Sequence, residues 1–473
     1  MIDVIIVGGG PTGLWAAAEL ALAGARTLVL ERSEQRSPHS KALGIHARTL
    51  EVLAMRGLAD DFLGEGMPIP SWHFGMLATR LDLSALETPY PFMLALSQRR
   101  TEELIERRAT ALGVTIWRGH EVTGLRQDDE KVQLEVWAPN GPRTIESRFV
   151  LGADGAHSSV RRLAGIDFPG VDGANFGFLG EVMVDRPPAP PMISKHDSNG
   201  AFVALPLGGG KYRLTGFDAH RHAREDHLTI ERLRKLAVQW VGTDLGMHDP
   251  SWLTRFSDET RLAGRYRKDR VFLAGDASHI SWPAGGVGLN VGIQDAMNLG
   301  WKLAAFLHGR GDEALLDTYE AERRPVGEDL VQHTLAQGAL ITAVTPSGQA
   351  LRTTFSDMLA RDSGAMRVLS EKLSGLEVSY AMDRTDKGPD IGDRVPNLPL
   401  SDGDCLFHTM KTGRPIRIVA PGAKFGSRGL SAALGDAEVV YLAPSESGDG
   451  WSALGDAIVR PDGHLGWVAS PRR

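Results

Sequence analysis

The stretch VIIVGGGPTGLWAAAELALAGARTLVLER, residues 4–32, orders an apolar run, a glycine turn, an Ala-rich helix, a second apolar run and an acid as a dinucleotide site requires. Residues 4–7 read as a buried strand. Gly8, Gly10 and Gly13 supply a tight turn, close backbone approach to a pyrophosphate and close helix packing. The helix that follows points free N–H groups and the positive end of its dipole at an anion, and it stops at Gly24. The next strand, residues 26–30, ends in Glu31, at the spacing where an acid accepts hydrogen bonds from an adenosine ribose. A glycine motif alone is often only a turn; strand, helix, strand and acid together favour a bound nucleotide. They do not distinguish FAD from a nicotinamide nucleotide.

Residues 269–303, DRVFLAGDASHISWPAGGVGLNVGIQDAMNLGWKL, repeat the logic of a strand feeding a glycine-rich loop and a helix. Asp276 falls at the strand's carboxyl end, where open α/β sheets bind ligands and a carboxylate can hold sugar hydroxyls. From Ile293, the positions Ile293, Ala296, Met297, Gly300, Leu303 and Ala304 share one helical face. The loop from Pro283 to Asn290 therefore aims a helix N-terminus at its ligand. That partial positive charge suits the anion at the N1 and C2 carbonyl edge of a reduced flavin, which a nicotinamide does not carry.

Composition sets bounds without naming a function. The 473 residues suffice for two or three domains and a large core, and the net charge of −7 gives no general attraction to nucleic acid or anionic lipid. The single cysteine, Cys405, excludes an internal disulfide and any cysteine-based zinc or iron–sulfur site, so no metal is expected. It reads as a small buried hydrophobe. With a strand from Ile2 and no apolar run near the roughly 18 residues of a membrane span, the expectation is a cytoplasmic protein with no membrane partner.

Residues 60–95, rich in Pro, Gly and Leu without a period, read as a lid or a crossing towards a substrate region. Residues 97–113 return to helix, and Val132, Leu134 and Val136 alternate with polar neighbours as a strand with one wet face does. Residues 168–263 form a β-rich block that includes a hairpin with its tip at Gly208–Gly210. A helical region over 314–379, broken at Pro325, leads to a Pro-rich boundary at 392–400. Strands follow at 416–420, 438–442 and 457–459, with a hairpin around Asp462 and Gly463.

The glycine turn at 8–13, GADG at 152–155, and GD at 275–276 followed by PAGGVGLN resemble the three signatures of the class A, single-component FAD-dependent aromatic hydroxylases, over nearly the whole chain. SKALGIHARTLEVLAMRGL at 40–58 is similar to the tetracycline-pathway polyketide hydroxylases; rifampicin monooxygenases, the other similar group, carry arginines where this chain has Lys41 and Leu43. The resemblance implies an α/β fold: a Rossmann-like FAD-binding domain of the para-hydroxybenzoate hydroxylase type (residues 1–70, 96–167 and 264–345), with an inserted β-rich substrate domain (71–95 and 168–263). A helical linker (346–387) and a thioredoxin-like C-terminal domain without CxxC (388–473) complete it.

It also implies resident FAD, transient NADPH or NADH as reductant, and O2 as co-substrate. A flavin C4a-hydroperoxide would pass one oxygen atom to an aromatic or polyketide-like small molecule, in antibiotic biosynthesis or modification. Baeyer–Villiger oxidation, epoxidation, or an oxidase or reductase activity without oxygen insertion remain alternatives on the same scaffold. The chain would act as a monomer or homodimer.

Carried over by position, Gly8, Gly10, Pro11, Thr12 and Gly13 would meet the pyrophosphate, Glu31 the ribose, Arg32 the adenosine side and Val122 the adenine through its backbone. Lys41 replaces an arginine near the phosphates or flavin, and Gln98 matches a glutamine near the flavin chain. Asp154 would serve FAD and the reductant, Asp276 the ribityl or phosphate side, and Pro283, Gly286, Gly288, Leu289 and Asn290 the flavin's pyrimidine edge. Substrate contacts are expected from Phe178, Phe202, Leu205, Arg213, Phe217 and Trp282. Where many relatives have HLPAGGQG, this chain has SWPAGGVG, and the Trp282 indole would reshape the substrate side. His46 and His279 read as structural histidines, and no catalytic residue is named.

Overall fold

A computed structural model describes residues 1–220, 227–380, 389–420, 437–443, 451 and 455–468. Its organising sheet holds five parallel strands in the order Val271–Leu273, Gly141–Gly152, Ile2–Val7, Thr27–Glu31 and Thr115–Arg118. Apolar runs such as Val4 to Val7 suit this position because both faces are covered and the residues are buried. Val7 is level with Gly152, and Gly152 with Leu273. This register brings the glycine turn after Val7, the GADG segment and the Gly275–Asp276 turn together at one edge, outside the carboxyl ends of the strands.

Around the sheets run α1 (Pro11–Leu22), α2 (Ala47–Ala54), α3 (Ala59–Leu63), α4 (Gln98–Ala111), α5 (Ser159–Leu163), α6 (Ile230–Val241), α7 (Gly288–Leu307), α8 (Glu313–Ile341), α9 (Pro346–Arg361) and α10 (Ser363–Ser374). The longest contact between helices that bears on function is that of α1 with α7, and glycines make it possible. A Cβ added to Gly292 would stand 2.4 Å from the Thr12 hydroxyl, and one added to Gly300 would stand 2.8 Å from Glu19 Cβ. The two backbones close together at these notches, so their N-termini emerge side by side.

The β-rich block is an antiparallel sheet in the order Ile193–Asp197, Gly200–Gly208, Lys211–Asp218, Phe176–Val184 and Met247–Ser257, and the expected hairpin turns at Gly209 and Gly210. One face carries Phe178, Val182, Phe202, Ala204 and Leu214, packed on Leu233, Leu236 and Trp240 of α6. The opposite face looks back at the cofactor domain.

Residues 60–95 are not the irregular segment expected. They include the end of α3, short strands at Met67–Ile69, Ser71–Trp72, Leu81–Asp82 and Met93–Ala95, and connecting turns. Strands of two or three residues are too short to leave a readable period. The break expected at Pro325 is also absent, since α8 runs through it. Tyr319, Arg323, Gly327 and Leu330 are buried on both sides of the proline, and that packing outweighs one missing backbone hydrogen bond. The chain turns instead before Thr345 and at Asp362, whose side chains cap α9 and α10.

Beyond residue 389 the described tail forms a mixed sheet in the order Glu438–Tyr441, Ile416–Val419, Asp456–Val459 and Leu465–Val468. The boundary expected at 387/388 and residue 469 of the last hairpin lie outside the described residues. The turn at Asp462 and Gly463 is buried against the cofactor domain: Asp462 Oδ2 accepts from Trp301 Nε1 at 3.0 Å, its carbonyl accepts from Arg48 at 2.8 Å, and Arg460 bonds Glu322 at 2.8 Å. Among the described residues, no helix is long and apolar enough to cross a membrane, and no cluster of His, Cys, Asp or Glu could hold a metal ion.

The α1–α7 notch gives a direct test. Replacing Gly300 by leucine forces side-chain atoms into Glu19, and overpacking of this kind costs about 1–3 kcal/mol. Urea denaturation should show the lowered midpoint; an unchanged midpoint would mean that the helices are not held by close packing here.

Candidate functional site

Among the helices of twelve or more residues, α4, α6, α8, α9 and α10 each have a side chain that accepts a hydrogen bond from an N-terminal N–H; α1 and α7 have none. Buried helix ends are normally satisfied by a side chain, by water or by a ligand. Here two uncapped ends open beside each other at the carboxyl edge of the parallel sheet. A Cβ added to Gly10, Gly286 or Gly288 would meet no protein atom within 4 Å, so the cradle has room for another molecule along both turns. Gly8 is different: at φ +113° its Cβ would stand 2.2 Å from the Ala153 carbonyl oxygen, which explains the requirement for glycine. Uncapped N–H groups, open backbone and neighbouring acids fit a dinucleotide such as FAD.

The side chains around the cradle are mostly occupied in shaping it. Glu31 Oε2 accepts from Gly9 N at 2.7 Å and Oε1 from Ser33 N at 2.8 Å, so this acid also holds the glycine turn. Asp154 accepts from Ser158 Oγ and from the N–H groups of Ser159 and Val160, capping the start of α5. Gln98 Oε1 accepts from Ala42 N at 3.0 Å. Arg32, Lys41, Asp276 and Pro283 are exposed at the rim, Leu289 is half-buried, Val122 is buried at the start of its strand, and Pro11 and Thr12 open α1.

Asn290 is a fastener. Its Oδ1 accepts from His46 N at 2.8 Å, and its Nδ2 donates to Gly44 O at 3.1 Å and Gly286 O at 3.0 Å, which leaves its backbone for any ligand. His46 Nε2 lies 2.9 Å from the Gly285 carbonyl while its buried Nδ1 has no partner. Burial pushes this imidazole down to about 4, so it is neutral near pH 7 and donates through Nε2. His279 bonds Asp295 at 2.8 Å; Asp295 also accepts from Gly275 N at 3.1 Å and from Arg323 Nε at 2.7 Å. Burial alone would raise the Asp295 carboxyl, but Arg323 and His279 hold it below the usual carboxylate range.

The substrate expectations divide by strand face. Phe217 and Trp282 join Met76, Ala201, Ala284 and Ile341 in one apolar cluster beside the glycine-rich turn at 283–288, with Phe256 edge-on to Trp282 at 5.4 Å between ring centres. Leu205 is half-buried on the face that bears Phe217. Phe178 and Phe202 are corrected: fully buried against α6, they lie on the other face because side chains alternate along a strand. Arg213 is corrected as well. It is buried, paired with Glu181, and donates to the carbonyls of Ser40 and Lys41, so it is occupied in joining this antiparallel sheet to residues 40–41. Phe256 and Met76 escaped the sequence reading; the alternation that runs through Trp252 and Thr254 could have found the former, and nothing local marks the latter.

Burial also holds His73 and His333 at about 4, as it does His46. The unfolded chain, titrating near 6.5, then binds more protons than the folded one in between, so stability falls as pH drops from about 6.5 towards 4. The exposed His248 shifts the other way, through its bond to Asp249. Melting temperatures from pH 7 to 5, above most carboxylate titration, should decline; a flat profile would contradict neutral buried imidazoles.

Comparison with known proteins agrees with this geometry. A model of the FAD binding domain matches residues 1–334. The chain is 42% identical to the 12-dehydrotetracycline 5-monooxygenase/anhydrotetracycline 6-monooxygenase of Streptomyces rimosus, over 99% of this chain and 95% of that one. It is 39% identical to the rifampicin monooxygenase of Streptomyces venezuelae, over 100% and 97%. The solved structure of OxyS anhydrotetracycline hydroxylase from Streptomyces rimosus superposes with a TM-score of 0.90 at 41% identity, covering 99% of this chain and 96% of that one. With the cradle, the family model and relatives matched end to end all in agreement, the chain belongs to the FAD-binding-domain family, as a class A FAD-dependent aromatic hydroxylase.

Proposed function

We propose that this hydroxylase consumes NADPH or NADH and O2 and inserts one oxygen atom into a flat aromatic or polyketide-like molecule, in antibiotic biosynthesis or modification. The observation that carries the reading is the pair of uncapped helix ends facing open backbone, with an aromatic wall at the flavin end. The activities of the relatives on 12-dehydrotetracycline, anhydrotetracycline and rifampicin support the substrate class.

Gly8, Gly10, Pro11, Thr12 and Gly13 would hold the pyrophosphate, with Glu31, Arg32 and Val122 at the adenosine and Lys41 and Gln98 along the chain between. Asp276 would border the ribityl or phosphate side, and Asp154 would serve both FAD and the reductant. Bound FAD, once reduced, supplies the oxygen activation; the protein orients it and excludes water. Backbone N–H groups at Gly288, Leu289 and Asn290, backed by the dipole of α7, would face the flavin's electron-rich edge, while Pro283 and Gly286 shape the turn. Leu205, Phe217 and Trp282 would carry the substrate face. A thioredoxin-like reading of the tail and a role for it in packing belong to the same proposal.

Gly10 separates ligand binding from folding. Because its Cβ meets no protein atom, Gly10→Val should fold with unchanged circular dichroism yet bind FAD at least about tenfold more weakly, about 1.4 kcal/mol. The reaction itself is tested with purified protein, FAD, NADPH or NADH, and tetracyclic or ansamycin aromatics under 18O2. Gain of one labelled oxygen in the product is expected. Nicotinamide oxidation that yields peroxide and no labelled product would place the protein among oxidases or reductases.

A further inference from the structure

Residues 74–77 make an unusual turn at the edge of the aromatic wall. Gly75 and Met76 both lie in the left-handed region, at φ +54° and +53°. For methionine this conformation is unfavourable and persists only where the surroundings over-determine it. The surroundings here come from α8 and α9. Arg352 Nη1 donates to the Gly75 carbonyl at 2.8 Å and to the Leu340 carbonyl, while Nη2 donates to the Met76 carbonyl. Gln337 Oε1 accepts from Gly75 N at 3.1 Å. One helical turn beyond Arg352, Ser356 Oγ accepts from Thr79 N at 2.9 Å, and Thr79 Oγ1 donates to the Ser356 carbonyl at 2.8 Å.

Arg352 is only 6% exposed, and among the described residues no carboxylate pairs with it. A buried guanidinium without an acid is expensive, and its compensation is a set of three carbonyls, one of them in the last turn of α8, where the dipole favours a cation. Burial accordingly lowers Arg352 to about 10, still protonated at neutral pH. The return on that cost is the position of one side chain: Met76 is turned into the cluster of Ala201, Phe217, Trp282, Ala284 and Ile341. The clamp is also referenced to the flavin loop, because a Cβ on Gly285 would stand 3.1 Å from Gln337 Nε2.

We propose that Met76 is a specificity-determining residue that closes the substrate side of the aromatic wall, and that Arg352 is the positioning residue that holds it there. This rests on the reading that Trp282 and Phe217 face an aromatic substrate. A thioether on a flexible stem packs against extended aromatic surfaces, so the site prefers broad polycyclic substrates to single rings.

The test uses full-length Met76→Gly, Arg352→Gln and the double variant. Glycine relieves the left-handed strain while removing the side chain. Met76→Gly should bind FAD as the wild type does but raise KM for a tetracyclic aromatic about tenfold, with a much smaller change for a single-ring phenol. If Arg352 acts through Met76, Arg352→Gln raises KM similarly and the double variant is no worse than Met76→Gly alone; additive effects would overturn the positioning role. In 13C-methyl-methionine spectra, the Met76 signal should be displaced by the neighbouring rings in the wild type and lose that displacement in Arg352→Gln. Should Arg352→Gln fail to fold, the Met76→Gly kinetics and the wild-type methyl position decide. A wild type unstimulated by any aromatic would sink the proposed function, whereas a stimulated wild type with Met76→Gly kinetics unchanged would sink this inference alone.

Discussion

Two helix N-termini of like polarity, brought side by side without capping side chains, are the constraint around which the rest of this protein is arranged. Their partial positive charges repel, and no side chain caps their first N–H groups. The glycine notches at Gly292 and Gly300 nevertheless press α1 and α7 together. An anionic, acceptor-rich molecule lying across both ends would remove the conflict, and a Cβ at Gly10, Gly286 or Gly288 meets no protein atom within 4 Å.

What keeps this uncapped edge in shape is a surrounding layer of hydrogen-bonded side chains. Asn290 and His46 tie residues 44–46 to the turn at 285–286, Asp295 ties the Gly275 turn to α7 and α8, and the Arg460–Asp462 turn seals α7 from behind. Each places its charge or amide against fixed partners rather than towards the cradle. Donors aimed in advance cost little reorganisation when charge develops. The same division explains why several polar residues beside the site, Asn290 and Asp154 among them, turn out to be braces and caps.

The cofactor side was legible in the sequence because its requirements are local. Gly8 needs its positive φ, the turn needs its glycines in order, and Glu31 follows at a fixed distance along one βαβ unit. The residues expected at the substrate divide between two faces. Phe217 and Trp282 share one apolar cluster, whereas Phe178 and Phe202 pack on α6, since a fully covered sheet bears large apolar residues on both faces and composition does not say which face is which. Arg213 looked like a substrate anchor because a lone strand arginine shows no partner in sequence; Glu181 reaches it from the neighbouring strand and the 40–41 carbonyls from more than 170 residues away.

The order of motifs alone determined an α/β dinucleotide fold, because backbone conformation and helix polarity act over a few neighbouring residues, and the resemblance of three signatures added FAD and the hydroxylase family. The tertiary structure decided which strand face meets the cofactor domain, that α8 continues through Pro325, and that α9 reaches back to clamp Met76 through Arg352. Those outcomes depend on packing and hydrogen bonds between residues as many as 277 positions apart, and no local pattern of residues encodes such a partner.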